Sequence, residues 1–335
     1  MPKQAIIIAV NPMPRLYLTS LIEELRPTHD VQVLTFYRTK LLNTDAVESA
    51  RSLGANVRQF SFKNYVDQFF QLHKAGHALR GWIKKGDQVD IFICQPDHFL
   101  TNYPTFYVAP RDPDRVSIHL IPDGTANFYE TSIDPYVSAM KKKRLVGVLL
   151  GLPFSPYRDT YLALRTGNYA DYWYMTDPGL MGKFMPVRRF PAPPPPANQQ
   201  RTDSDWLFLG QPPLTRDHRS VYLPVLRQLV SRSKGTVHYK AHPAETLAAD
   251  WRKDLEDIGL HVLESTDTSA EELSMRYAHV ACISSSAAFN LRMLGWHESL
   301  HSVQDVDLLR SLTGRSEAEI DQVVALSKRI GLIPL

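Results

Sequence analysis

Short apolar, β-branched runs recur along this chain, and stretches with the period of an amphipathic helix lie between them. In the first half the runs are AIIIAV (5–10), VQVLTFY (31–37), NVRQFSF (56–62), VDIFICQ (89–95) and VSIHLIP (116–122), with YWYM (172–175) as one more. Helical periodicity fills YLTSLIEELRP (17–27), TDAVESARSLG (44–54) and the long segment 65–85. Alternation of this kind predicts βαβ units and a mostly parallel sheet. The rhythm then breaks at FPAPPPPANQQRTDSD (190–205), where consecutive prolines impose an extended path that neither helix nor central strand can continue. Beyond it the same rhythm restarts with WLFLGQPP (206–213), TVHYKAHP (236–243), HVLEST (261–266), VACISSS (280–286) and ESLHSV (298–303). Helices are predicted at 218–231, 244–257, 270–277 and 286–294, and a last one from Ser316, where Ser-x-x-Glu forms a capping box.

The expected architecture is therefore α/β, with two Rossmann-like domains facing across a cleft. The boundaries read as a domain over 1–189, a proline-rich linker over 190–205, a second domain over 206–315, and a C-terminal helix and tail over 316–335. A chain of 335 residues is long enough for two ordinary domains.

Composition narrows the functional classes. The chain is 44% hydrophobic and 22% charged, which argues against bulk disorder. A net charge of +3 removes a strongly basic nucleic-acid binder from consideration. Cys94 and Cys282 both sit in apolar runs and read as buried thiols of a reducing compartment. No Cys and His cluster stands at metal-ligand spacing. The apolar run at the N-terminus reads as a buried strand, being too short for the apolar core of a signal peptide. The expected location is cytoplasmic. The basic run Lys141, Lys142, Lys143, Arg144 precedes LVGVLLGLPF (145–154), which is too short to span a bilayer. It is read either as a peripheral contact with the inner face of the cell membrane or as a solvated charge run followed by core.

In doubly wound sheets, ligands bind at the carboxyl ends of strands, and several predicted strand ends carry unusual chemistry. The first domain offers Asn11 after AIIIAV and Asp123-Gly124 after VSIHLIP. Asp-Gly is a common turn pair, so Asp123 is read either as a turn residue or as a base at the mouth of a site. The second domain offers Gly210-Gln211, Lys240-Ala241-His242-Pro243 and Ser284-Ser285-Ser286. Serines opening a helix supply hydroxyls and free N–H groups suited to phosphate, although one serine is enough for a plain N-cap. His242 could donate to a phosphate oxygen or protonate a leaving group. A base in one domain and a phosphate cradle in the other are the parts of inverting glycosyl transfer.

In these three motifs the chain resembles the bacterial lipooligosaccharide and capsular polysialyltransferase group of the glycosyltransferase-B fold. That group carries a short acidic-Gly motif, an HP motif and a serine-pair motif, here Pro122-Asp123-Gly124, Lys240-Ala241-His242-Pro243 and Ser284-Ser285-Ser286. The resemblance implies transfer of sialic acid or a related nonulosonic acid from its CMP-activated form to a glycan acceptor, with no cofactor or metal. It implies Asp123 as general base, His242 and the serines on the donor phosphate, and Glu264 on the ribose hydroxyls. Lys240 would lie near the cytosine, with Gly210 and Gln211 lining the nucleotide site, Pro243 beside the donor, and Asn11 and Gly124 at the reacting groups. Pro122 stands where the group often has an acidic residue, and Ala241 where it often has glycine, so the subfamily and the donor sugar stay open. The alternatives are a CMP-Kdo or CDP-glycerol type of transferase, or a non-catalytic protein that binds nucleotide sugars.

Overall fold

A computed structural model describes residues 2–10, 13, 15–39, 44–122, 137–160, 162–176, 181–192, 194–195, 201–211, 218–242, 245, 247–264, 268–313 and 316–335. The chain forms two compact units, Met1–Pro193 and Pro194–Leu335.

The first unit contains β1 (Lys3–Ala9), α1 (Arg15–Leu25), β2 (His29–Arg38), α2 (Thr44–Ser52), β3 (Asn56–Phe62), α3 (Tyr65–Lys85), β4 (Val89–Ile93), α4 (Phe99–Tyr103), β5 (Val116–Leu120), α5 (Val137–Leu149), β6 (Asp171–Tyr174) and β7 (Val187–Arg189). Its seven strands run in the order β3-β2-β1-β4-β5-β6-β7, every pairing parallel. Strands β1 and β4 are covered on both faces along most of their length, which is why they read as apolar runs, interrupted in β4 only by Asp90. Ile6, Ile8, Leu34, Ile91 and Ile118 pack with Leu72, Leu79 and Trp82 of α3 in one core.

The second unit contains β8 (Trp206–Leu209), α6 (His218–Arg232), β9 (Val237–Lys240), α7 (Ala249–Asp257), β10 (Leu260–Val262), α8 (Ala270–Ser274), β11 (His279–Cys282), α9 (Ser286–Leu294), β12 (Leu300–Ser302), α10 (Val306–Thr313), α11 (Glu317–Arg329) and β13 (Ile333–Pro334). Its sheet is also parallel, ordered β10-β9-β8-β11-β12-β13. Helix α11 opens on the expected Ser316–Glu319 capping box. Ile320 and Val324 of this helix lie in the second unit's core, and β13 extends its sheet. The C-terminal segment is thus built into that unit.

The ends of the proline-rich segment are docked. Phe190 is fully buried, its ring 6.3 Å edge-on from Tyr17 in the first unit. At the other end Thr202 N donates to Arg276 O at 3.0 Å within the second unit. The stretch around α5 divides between core and surface. Leu150, Leu152 and Phe154 are core, but Leu145, Val148 and Leu149 face outward on α5. The basic run is divided too: Lys143 turns inward, its ammonium donating to the carbonyl of Asp97 and lying 5.4 Å from the Phe154 ring centre. Lys143 is therefore withdrawn from the basic surface expected at 141–144, because the loop after β4 supplies it with an acceptor.

Along β5 and its neighbours the first unit holds a chain of ionisable groups, with His29 and Asp171 opening β2 and β6, Asp90 second in β4 and His119 fourth in β5. His119 Nδ1 lies 2.5 Å from Asp171, its Nε2 lies 3.3 Å from Asp90, and Asp90 also meets His29 Nε2 at 2.9 Å. Burial alone would depress the His119 pKa, but the hydrogen bonds to Asp171 and Asp90 raise it. For Asp90, burial opposes ionisation while His119 and His29 more than offset it, so its carboxyl is held well below the ordinary range. Stability from the imidazolium is complete below about pH 6.5 and disappears as the pH rises through its raised folded-state pKa. Stability from Asp90 is present above its ordinary value of 3.8 and disappears as the pH falls through the depressed one. Replacing His119 by Gln should therefore cost the first unit about 3 kcal/mol at pH 5 and less at pH 9, as read by urea unfolding at both pH values. An equal loss at both would mean that the ring, stacked 4.7 Å from Phe92, contributes only by packing.

Candidate functional site

Both sheets carry a topological switch point, where the chain leaves the first strand on one side and returns on the other. In the second unit it falls between β8 and β11. The segments leaving these two strands, and β9 beside them, are Gly210-Gln211, Ser284-Ser285-Ser286 and Lys240-Ala241-His242. Three motifs separated by up to 76 residues in sequence (286 − 210) are thus brought to one edge of one sheet.

Direct hydrogen bonds join these loops. Gly210 N donates to Lys240 O at 2.8 Å, and Gln211 Nε2 donates across the switch point to Ser284 O. Gln211 N donates to Tyr222 Oη at 3.1 Å, and that hydroxyl is hydrogen-bonded to Tyr239. Tyr239, fully buried, donates to both carboxylate oxygens of Glu245 at 2.8 and 3.0 Å. The same carboxylate accepts from Trp251 Nε1 at 3.0 Å and from the backbone N–H of His242 at 3.1 Å. Gly210 has to be glycine here: a Cβ would meet Tyr239 Oη at 2.6 Å and Glu245 Oε2 at 2.8 Å. Glu245 thereby sets the backbone of the histidine loop.

The side chains at this edge differ in their surroundings. His242 is exposed, and its pKa lies below the ordinary imidazole value, first through partial desolvation and then through the nearby Lys240. Lys240, half-buried at the end of β9, is itself depressed by desolvation, which Glu271 partly offsets. Glu271 on α8 is buried and accepts from Asn290 Nδ2 at 3.1 Å; burial raises its pKa, with Asn290 and Lys240 pulling the other way. Glu264 is 82% exposed and pairs with Arg252 at 3.0 Å. Ser285 is the N-cap of α9, accepting from Ala287 N at 3.3 Å. Ser284 is 5% exposed, and its hydroxyl has no hydrogen-bond partner among the described residues. Ser286, in the first turn of α9, is half-buried.

In the first unit the switch point falls between β1 and β4. The chain is described to Pro122, two residues past β5; Asp123, Gly124 and Asn11 lie outside the described residues, as does Pro243. The loop after β4 places Asp97 and His98 at this edge. Burial raises the Asp97 pKa against the pull of Lys143, and it holds His98 down at about 3.

Sequence reasoning missed Glu245, Glu271 and Asn290. Glu245 follows His242 by three residues and was legible only as an acidic residue near a helix start. Glu271 sits in the first turn of a capped helix, where an acidic residue is ordinary, and its burial belongs to the tertiary fold. The chain also holds three Asp-x-Asp triplets, at 112–114, 203–205 and 305–307. Asp112 pairs with Arg115, Asp205 accepts from Thr236 N, and Asp305 caps the start of α10. Among the described residues no three acidic, His or Cys side chains converge as a metal site.

No protein-family model matches the chain, and no curated protein matches it in sequence. Solved structures do match it over nearly its whole length. The glycotransferase of kitacinnamycin aligns with a TM-score of 0.54 at 8% identity, covering 98% of this chain and 95% of its own. A putative UDP-N-acetylglucosamine 2-epimerase from Listeria monocytogenes aligns at 0.54 and 11% identity, covering 98% and 88%. An Arabidopsis thaliana protein complexed with UDP-L-rhamnose aligns at 0.53 and 11% identity, covering 99% and 90%. Likeness at such identities is a likeness of fold, and the fold of this chain is that of the glycosyltransferase-B enzymes.

Proposed function

We propose that the protein is an inverting, metal-independent glycosyltransferase. It takes sialic acid or a related nonulosonic acid from a CMP-activated donor and transfers it to a hydroxyl of a bacterial surface polysaccharide or lipooligosaccharide. The observation that carries the reading is the joined set of loops at the second unit's switch point. That set combines an exposed histidine, a half-buried lysine and a helix N-terminus with a serine hydroxyl that has no hydrogen-bond partner among the described residues. Such a set suits an anionic phosphate.

In this reading Asp123 removes the proton of the acceptor hydroxyl as its oxygen bonds to the anomeric carbon, and the bond from that carbon to the phosphate oxygen breaks. His242, whose pKa desolvation and then the nearby Lys240 lower in the absence of donor, donates to the departing phosphate. Ser284, Ser285 and Ser286 supply hydroxyl and backbone donors to the same group, and Lys240 supplies the positive charge. Gly210 and Gln211 line the nucleotide. Two carboxylates compete for the ribose hydroxyls: Glu264, which the sequence pattern implies, and Glu271, buried beside Lys240. Loss of nucleotide affinity in Glu264→Gln or in Glu271→Gln identifies which one acts. A uridine donor is the second reading, favoured by the UDP-sugars named for two of the similar structures.

The test is a donor screen with CMP-sialic acid, CMP-Kdo, CDP-glycerol and UDP-N-acetylglucosamine, following nucleotide release against a panel of glycan acceptors. Acceptor-dependent CMP release is the expected result, and release of UDP alone would move the protein to the uridine donors. His242→Ala should weaken CMP binding about 10- to 150-fold, the equivalent of about 1.5–3 kcal/mol for one charge-assisted hydrogen bond. Unchanged binding and turnover in that variant would remove the histidine loop from the site.

A further inference from the structure

Helix α5 is built the wrong way round for an ordinary surface helix. Its inward stripe is Met140, Lys143 and Gly147, continued by Leu150 just past its end. Gly147 lies so close to the following chain that a Cβ would meet Leu152 O at 2.5 Å. At 100° per residue the opposite side holds Lys141, Lys142, Leu145, Val148 and Leu149, with Arg144 at its margin. Exposure agrees: Leu145 is 71% exposed, Val148 66% and Leu149 69%, and the three cations are exposed as well. The apolar bulk therefore points outward, where burying it against protein is not an option the fold has taken. The helix carries no acidic residue.

We propose that this outward face docks on the surface of an anionic phospholipid bilayer. Lys141, Lys142 and Arg144 would meet the headgroup phosphates, while Leu145, Val148 and Leu149 enter the boundary with the acyl chains. Charge complementarity selects this occupant: three cations at the middle of the helix sit beside three apolar side chains toward its end. A second copy of the chain on the same face would double the cations with no acid on the helix to offset them. A helix of 13 residues is about 20 Å long, too short for a hydrocarbon core of about 30 Å, so it lies on the bilayer. Among the described residues no helix is long and apolar enough to cross one. The inference does not depend on which nucleotide sugar the second unit takes.

The experiment is vesicle flotation of the full chain with phosphatidylcholine alone and with phosphatidylcholine containing phosphatidylglycerol. Binding is expected only to the anionic vesicles and should weaken with added salt. Each cation changed to Gln should weaken it about five-fold, and K141Q/K142Q/R144Q together about a hundred-fold. Leu145→Ser with Leu149→Ser should weaken it by ten-fold or more, with unfolding midpoint and nucleotide affinity unchanged, since both positions are exposed. Equal binding to neutral vesicles, no binding, or undiminished binding by these variants would overturn the proposal. So would dependence instead on the exposed Tyr65, Val66, Phe69 and Phe70 of α3. Sedimentation as a dimer that the leucine variant converts to monomer would assign the face to a second copy.

Discussion

Replacing Asp123 by alanine is expected to slow glycosyl transfer by about 10²–10⁴-fold, the range that a positioned general base contributes. Affinity for the nucleotide should stay within a factor of two or so of the unchanged protein, because the groups proposed to meet the phosphate all belong to the second unit. The measurements are initial rates of acceptor-dependent nucleotide release and, separately, titration of the nucleotide monophosphate. The contrast between the two distinguishes a base from a turn residue. A turn residue whose loss disturbs the loop would lower the unfolding midpoint of the first unit, and Asp123→Asn, which keeps the turn chemistry, would then restore activity. A base is not replaced by Asn, so both variants should be equally inactive. Near-normal turnover in either one would return Asp123 to the turn.

Glu245→Ala is expected to give the second large effect, in stability and binding together. The substitution removes the carboxylate that accepts from the buried Tyr239 hydroxyl, the Trp251 indole N–H and the backbone N–H of His242. Each hydrogen bond lost from a buried donor to a charged acceptor costs about 1.5–3 kcal/mol. At about 2–4 °C per kcal/mol, the second unit's midpoint should fall by roughly 10 °C. Glu245→Gln keeps one acceptor oxygen but points an NH2 group at other donors, so a smaller loss is expected, detectable by the same thermal scan. Nucleotide affinity should be read well below both midpoints. If Glu245 positions the histidine loop, affinity falls there even though the unit is folded. If it serves only stability, affinity at that temperature is unchanged and the positioning role is lost.

These two residues also mark the line between what sequence and structure contribute. Asp123, His242 and the serines were legible because each stands at the end of an apolar run. The runs themselves were legible because a strand buried on both faces is mostly apolar: AIIIA, and VDIFI apart from Asp90, admit almost no other reading. The capping box at Ser316 and the long helix 65–85 were equally local, being determined by side chains within a few positions of one another. The two parallel sheets follow from that alternation, whereas the strand orders that set the switch points come from the structure.

What lay beyond the sequence has one physical cause: it depends on which surface meets which. That Glu245 would gather Tyr239, Trp251 and the His242 backbone requires three segments to close around one carboxylate. That Glu271 would be buried against Asn290 requires α8 to pack on α9, and nothing in an acidic first turn announces it. The sequence of α5 left two readings open, a membrane contact or a charge run followed by core. Only the packing of Met140, Lys143 and Gly147 on the chain beneath them decided that its leucines point out. Sequence alone thus determined the two α/β units and the chemistry available at their strand ends. Tertiary structure decided which of those groups are joined, because hydrogen bonds and burial are properties of neighbours in space.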